Sequence, residues 1–227
     1  MVRQGWLEPV KLMSGPGYSI TPKAARRLDE AASRIYRTGR VAWDGRFDLL
    51  VLDAPSARRD RQRLSANLRY LGYGTLDEQT WVATRPGEDV DLLLDEAGVR
   101  FERFSAAHAA GTPGAMGLVR RAWDLAEIGR AYEQFVAEQR ALLTGITARS
   151  CDEDAYAARF RLVHAWRTFL FRDPQLPPAL LPERWPGTAA ASFFDRHAAR
   201  LRPAADRYVE QCLDGGNRMI RPKERQT

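Results

Sequence analysis

Residues 46–56 read Arg46-Phe-Asp-Leu-Leu-Val-Leu-Asp-Ala-Pro-Ser56. Phe47–Leu52 is a near-continuous apolar run of strand type, and Asp53-Ala-Pro-Ser56 leads from it into a helix. That helix is expected from about Ala57 to Leu71, with Leu64, Leu68 and Leu71 as its apolar stripe. Gly72-Tyr-Gly-Thr-Leu76 and Thr80-Trp-Val-Ala83 read as two short strands. Pro86–Ala97 reads as a short helix carrying Val90, Leu92, Leu93 and Leu94, and Val99–Phe104 alternates as a last strand. The order β-α-β-β-α-β is that of a ferredoxin-like unit. The fold class expected for the whole chain is α+β.

Upstream, residues 6–13 read as a strand in which Pro9 marks an edge. Gly15-Pro-Gly17 is expected to turn, and Tyr18-Ser-Ile20 to return. Thr21-Pro22 then opens a helix, with Thr as N-cap and Pro at the first helical position. The helix is expected to run to about Arg37, with Ala24, Leu28, Ala31, Ala32 and Ile35 on its apolar side. A short basic hairpin followed by a helix matches the wing and next helix of a winged helix-turn-helix. The helices that precede a wing have no counterpart, so an upstream segment of about 40–60 residues is expected in the native protein.

Downstream, residues 105–117 are rich in Ala, Gly and Pro and read as a linker. The remainder is helical in pattern. Asp124-Leu-Ala-Glu127 has capping-box spacing, and Leu125, Ile128, Tyr132, Phe135 and Leu142 recur at helical period. Asp152 is a candidate cap for a helix from Asp154 to Phe171, and Phe193–Cys212 is a last long helix that Pro203 would kink. Between these lies Leu170-Phe-Arg-Asp-Pro-Gln-Leu-Pro-Pro-Ala-Leu-Leu-Pro-Glu-Arg-Trp-Pro-Gly187. Its prolines forbid one continuous helix, yet Leu176, Leu180, Leu181 and Trp185 want burial, so the segment is an ordered connection wrapping a core. The expected divisions are 1–40, a partial winged helix; 41–112, the ferredoxin-like domain and linker; 113–215, a helical domain; and 216–227, a disordered tail.

With 44% hydrophobic and 28% charged residues, the 227-residue composition is that of a globular protein. No apolar run approaches the roughly 20 residues that span a bilayer, and the N-terminus lacks a signal-peptide pattern. Cytoplasmic residence with no membrane partner is expected. Cys151 and Cys212 make neither a disulfide framework nor a zinc cluster. Residues 1–40 hold eight Lys/Arg against three acids, which concentrates the +6 net charge at one end. Localised basicity on a near-neutral body suggests a polyanion contact.

Few residues have a pattern of catalytic chemistry. His108, His164 and His197 lack partners at metal-ligand spacing, and no phosphate-binding loop or nucleophile elbow is present. Asp53, at the end of a strand, and Asp44, before it, read as turn formers, with metal ligation as the alternative. On a helix over 154–171, Tyr156, Phe160, Val163, Trp166, Leu170 and Phe171 share one broad face, and Arg167 falls inside it. A buried guanidinium needs a partner. That partner is an acid such as Asp124, Glu127 or Asp173, or an anionic ligand. Trp81, Trp123, Trp166 and Trp185 are core aromatics or part of a ligand pocket.

The stretch from His164 to Gly187 closely resembles the C-terminal motif of the PaaX family of phenylacetate-degradation repressors. Gly5-Trp-Leu7, Tyr18-Ser-Ile-Thr-Pro22, Trp43-Asp-Gly-Arg46, Leu71-Gly-Tyr-Gly74, Trp81 and Trp123-Asp-Leu125 agree in order, so the resemblance covers about residues 3–210. It implies a winged helix that binds operator DNA, a central domain similar to the small CRISPR-adaptation nucleases, and a helical C-terminal domain. It further implies a homodimeric repressor relieved by an aryl-coenzyme A thioester such as phenylacetyl-CoA.

The expected function is therefore a non-enzymatic, DNA-binding transcriptional regulator with no cofactor. Arg3, Lys11, Ser14, Tyr18, Lys23, Arg26 and Arg27 would contact phosphates. Phenylacetyl-CoA or another acyl-CoA would be met by Arg167, Arg172, His164, Trp123 and Trp185. Two alternatives are a metal-dependent nuclease built on Asp53 and a truncated dimerising body without DNA binding.

Overall fold

The computed structural model describes residues 1–12, 15–26, 28, 43–53, 57–85, 87, 89–109 and 114–219. The chain divides into two compact units. Unit one comprises Met1–Gly39, Glu138–Trp166 and Ser192–Thr227, and unit two comprises Arg40–Ala137 and Arg167–Ala191.

Unit two contains the ferredoxin-like sheet. Its strands are β3 (Arg46–Leu52), β4 (Gly74–Thr75), β5 (Thr80–Ala83) and β6 (Phe101–Ala107), in the order β4-β5-β3-β6. Every neighbouring pair is antiparallel. Helices α1 (Arg58–Tyr70) and α2 (Val90–Glu96) supply the crossovers, which completes the expected β-α-β-β-α-β order. Leu50 and Leu52 of β3, Leu64 and Leu68 of α1, Val90 and Leu94 of α2, and Trp81 form one buried cluster. The apolar stripes read from the sequence thus close on one face of the sheet.

Helix α3 (Ala115–Ala122) follows β6, and α4 (Leu125–Thr144) follows α3. Asp124 caps α4, its Oδ1 accepting the Glu127 N–H at 2.8 Å. The proline-rich connection is ordered, with Leu176 and Leu180 buried. The φ of +93° at Gly72 and its approach to the Pro174 carbonyl require a residue without a side chain there. Tyr132 of α4 stacks on Phe169 with ring centroids 4.0 Å apart, and its hydroxyl donates to Asp173 at 2.5 Å.

In unit one, β1 (Leu7–Leu12) and β2 (Gly15–Ile20) form an antiparallel hairpin. The C-terminal part of α4, α5 (Asp152–Arg167) and α6 (Pro186–Met219) supply its helices. Leu143, Ala155, Ala158 and Leu201 form their apolar cluster, and Trp166 stacks on Phe194 at 4.7 Å.

Several expectations are corrected. Gly15-Pro-Gly17 is strand, because Leu12 pairs directly with Gly15 and the ladder runs on through Pro16 and Gly17. β6 continues to Ala107 because its ladder with β3 extends to the Arg46–Ala107 pair, so the segment read as a linker begins as strand. α5 begins at Asp152, and Cys151 takes the cap position: its Sγ accepts the Asp154 N–H, while Asp152 pairs with Arg207 at 2.6 Å. α5 buries Ala155, Ala158, Leu162 and Trp166, whereas Tyr156, Phe160 and Phe171 are exposed. Trp166 and Leu170 of the expected face are buried, and small alanines, which allow close helix approach, take inward positions in place of Tyr156 and Phe160. That rotation places Arg167 in solvent, and it is not the buried charge the wheel implied.

α6 passes through Pro203, whose missing donor lies at an exposed position. It also extends to Met219, into the segment expected to be disordered. The helix following Thr21 is described only at residues 22–26 and 28. Its expected apolar residues Ala31, Ala32 and Ile35, and the tail beyond residue 219, lie outside the described residues.

A Cβ at Gly74 would stand 2.6 Å from both the Ala122 carbonyl oxygen and the Trp123 ring. Neither can move freely. Gly74→Ala should therefore destabilise the protein by about 1–3 kcal/mol in urea unfolding. An unchanged midpoint would mean that β4 and the α3 terminus can separate without cost.

Candidate functional site

The exposed basic hairpin is built by local chemistry. Thr21 Oγ1 accepts the Ala24 N–H at 3.2 Å and donates to the Gly5 carbonyl at 2.6 Å. The Thr21 N–H donates to the Trp6 carbonyl at 3.1 Å. One threonine thus caps the following helix and ties it to the entry of β1. Lys11 of β1 and Tyr18 of β2 are exposed, as are Arg3 in the 3-10 turn Val2–Gln4 and Lys23 and Arg26 in the helix. Pro9, Val10, Lys11, Pro16 and Tyr18 line a shallow groove along the hairpin. Ser14 and Arg27 lie outside the described residues. Lysine and arginine projecting from a hairpin and an adjoining helix can follow a phosphate backbone, a contact that positions a protein without reading base edges.

The five residues expected to meet an acyl-CoA are distributed over both units. Trp123 is 8% exposed and fills the space beside Gly74; its Nε1 is buried without a hydrogen-bond partner among the described residues. Trp185 is half-buried, edge-on to Tyr132 at 6.0 Å. Arg167 is exposed, and Arg172 is exposed with Glu127 at 3.9 Å. Those four belong to unit two. His164 belongs to unit one, where its exposed ring stacks on Phe160 at 6.2 Å. Asp44 accepts the Arg46 N–H at 2.9 Å, as a turn former does. Asp53 is held by Arg100 at 2.8 Å, and no group of three side chains able to hold a metal ion occurs among the described residues.

Sequence reasoning missed a buried ionic network. Asp48 interrupts the apolar run of β3 and is 7% exposed. Arg103 grips it twice, Nε on Oδ1 at 2.9 Å and Nη2 on Oδ2 at 3.1 Å, and turns Nη1 to Asp91 at 2.8 Å. The Tyr73 hydroxyl also donates to Asp48. Burial, then the Asp48 carboxylate, pushes the Tyr73 phenol well above its ordinary range, while the hydrogen bond to Asp48 strengthens the Arg103 charge. The available signal was one acid in an apolar strand and one arginine in an alternating strand. Register makes them partners: Arg103 faces Leu50, one diagonal step from Asp48 on the same side of the sheet.

Unit one holds a second missed feature. Gln139 lies one turn from Leu143 on α4, Arg159 one turn from Ala155 on α5, and His197 one turn from Leu201 on α6. Gln139 Oε1, Arg159 Nε and His197 Nδ1 are buried without partners among the described residues. Burial first, then Arg200 and Arg196, holds the His197 imidazole below its ordinary value.

Two outcomes follow. Asp48→Ala should cost about 3–5 kcal/mol in denaturant unfolding, because Arg103 keeps a charge it cannot pair with at that position. A loss below about 1 kcal/mol would show that Asp91 alone compensates. For His197, the unfolded chain binds the proton more readily than the folded one. Stability should therefore fall as pH drops through the ordinary histidine range, from about 7.5 to about 5.5. His197→Gln should flatten that part of the profile, and equal slopes for both proteins would remove His197 as its source.

The chain matches the PaaX protein central Cas2-like domain over residues 40–115 and the PaaX-like protein C-terminal domain over residues 123–211. It is 29% identical over 218 residues to a protein of Escherichia coli (strain K12) described as transcriptional repressor PaaX, spanning 92% of this chain and 68% of that protein. It is similar in fold to the uncharacterized protein Rv0674 from Mycobacterium tuberculosis, with a TM-score of 0.56 and 24% identity over 91% of this chain and 79% of that one. No helix among the described residues is long and apolar enough to cross a membrane. With both domain models in sequence along most of its length, the chain belongs to the PaaX family.

Proposed function

We propose that the protein is a DNA-binding transcriptional repressor acting in the cytoplasm as a homodimer. The observation that carries this reading is the run of two PaaX domain models on a chain 29% identical to a transcriptional repressor. The exposed cations of the hairpin and its following helix support it. In this reading Arg3, Lys11, Tyr18, Lys23 and Arg26 hold the phosphate backbone and set orientation, with Ser14 and Arg27 as further contacts in the same stretch. Replacing Lys11, Lys23 or Arg26 by Ala should weaken binding to specific and random duplexes alike and lower the salt slope by about one each. A loss confined to one sequence would reassign that residue to base reading.

The effector in this proposal is an aryl- or acyl-CoA thioester, with phenylacetyl-CoA first among candidates. Arg167 and Arg172 are exposed and carry the planar donor fork that suits its phosphates, and Trp185 offers a half-exposed ring in the same unit. Binding would favour a dimer geometry whose wings no longer match the operator half-sites. A ligand that binds only the folded state raises the melting temperature, by an amount equivalent to about 2.7 kcal/mol at a hundredfold excess over its dissociation constant. Phenylacetyl-CoA should therefore raise Tm where free CoA and phenylacetate do not, and Arg167→Gln with Arg172→Gln should diminish the shift. The absence of a shift with any thioester in a panel would remove the effector and leave a ligand-independent repressor.

A further inference from the structure

Helix α1 carries arginine at positions 58, 59, 61, 63 and 69, all exposed, against the single acid Asp60. At 100° per residue, Arg58, Arg69, Arg59 and Arg63 fall within an arc of about 140° that contains no acid, while Asp60 lies outside it. Leu64 and Leu68 occupy the opposite side and are buried in the sheet core. The four cations therefore point away from the domain to which the helix is anchored.

What sets them apart is that four arginines without a counter-ion among the described residues share one face of a single helix. Arg100 is paired with Asp53, Arg103 with Asp48 and Asp91, and Arg172 with Glu127. Arg58, Arg59, Arg63 and Arg69 have no ion pair among the described residues. At the C-terminal end of the arc Tyr70 packs on Phe171 with centroids 5.3 Å apart, and Phe171 is 62% exposed. The surface is thus a row of guanidinium forks ending on an exposed aromatic ring.

We propose that this outward face of α1 is a second DNA-binding surface, gripping duplex phosphates without reading bases. The proposal rests on the repressor reading above. Guanidinium forks match phosphate oxygens in shape and charge, and a 13-residue helix is about 20 Å long, a span over which a duplex presents on the order of ten phosphates. Phe171 supplies a flat surface against which a deoxyribose can pack. The surface belongs to unit two and the hairpin to unit one, so the two can be varied independently.

The test uses the full chain and a random-sequence duplex of about 30 base pairs, titrated at several salt concentrations. Two variants are compared with it: Arg58→Gln/Arg59→Gln/Arg63→Gln/Arg69→Gln, and Lys11→Gln/Lys23→Gln/Arg26→Gln. Each cation that neutralises one phosphate contributes about 0.9 to the slope of log K against log salt. The α1 variant is expected to show a slope smaller by about 2–4 and to bind at least roughly tenfold more weakly near 0.1 M salt. The matching four-lysine variant should keep most of the slope, which separates charge from any defect in folding. A slope unchanged in the α1 variant but lowered in the hairpin variant would overturn the α1 surface and leave the repressor reading intact. Absence of duplex binding by the unmodified chain would overturn both.

Discussion

The bidentate grip of Arg103 on Asp48 sets the register of the central sheet. β3 is flanked by β5 and β6, so its alternation decides which side chains enter the core. Leu50 and Leu52 share the helix-covered side with Asp48. A one-residue slip of β6 against β3 would turn Arg103 to the opposite side of the sheet and leave Asp48 buried with only the Tyr73 hydroxyl. Such a state carries an uncompensated buried charge, which costs far more than a misplaced aliphatic. The ion pair thereby penalises wrong registers more than it stabilises the right one. Tyr73, at the end of the α1 crossover, and Asp91, in α2, extend the same constraint to both helices.

The central domain was legible in the sequence because its signals are local and mutually consistent. Each strand is a short apolar or alternating run, each helix carries a leucine stripe, and glycines punctuate them. Thr21 and Asp124 were readable as caps for the same reason, since a cap is a chemical requirement met within three or four residues. The register partnership of Asp48 and Arg103 was invisible, because no local rule sets the offset between strands so far apart along the chain. The end of β6 was misplaced similarly: Ser105–Ala107 are weak strand formers held by the ladder to β3 and not by their own preference.

The helical region shows a different limit. On α5 the large rings suggested one inward face; Trp166 is inward, but Tyr156 and Phe160 are exposed while Ala155 and Ala158 turn inward. Hydrophobic size ranks residues by what burial gains, while helix packing also depends on how closely two backbones approach. Where alanine lines the contact, the distance shrinks and neighbouring large residues are left outside. The difference bears on function, because an inward ring face would bury Arg167 and demand a counter-charge such as Asp173. Asp173 is instead occupied by the Tyr132 hydroxyl and the Gln175 N–H. An anion-binding role for Arg167 therefore rests on its exposure and not on an unmet need for a counter-charge.

Charge pairing, unlike net charge, separates cations engaged by an acid from cations that are not. Residues 1–40 attract notice by their excess of Lys/Arg, whereas the remainder is close to neutral in sum. A near-neutral sum conceals two populations. Arg100, Arg103 and Arg207 are committed to Asp53, Asp48 and Asp152, and the arginines at 58, 59, 63 and 69 along the outer arc of α1 are committed to no acid among the described residues. Committed pairs contribute little long-range field, because each dipole decays rapidly, while uncompensated cations on one helix face act together over a Debye length of about 8 Å. Counting charges along a sequence cannot make this distinction, since partners such as Arg103 and Asp48 or Arg207 and Asp152 are brought together only by the fold. Composition therefore draws attention to the hairpin end, and the pairing pattern of the folded domain is what draws it to the outer face of α1.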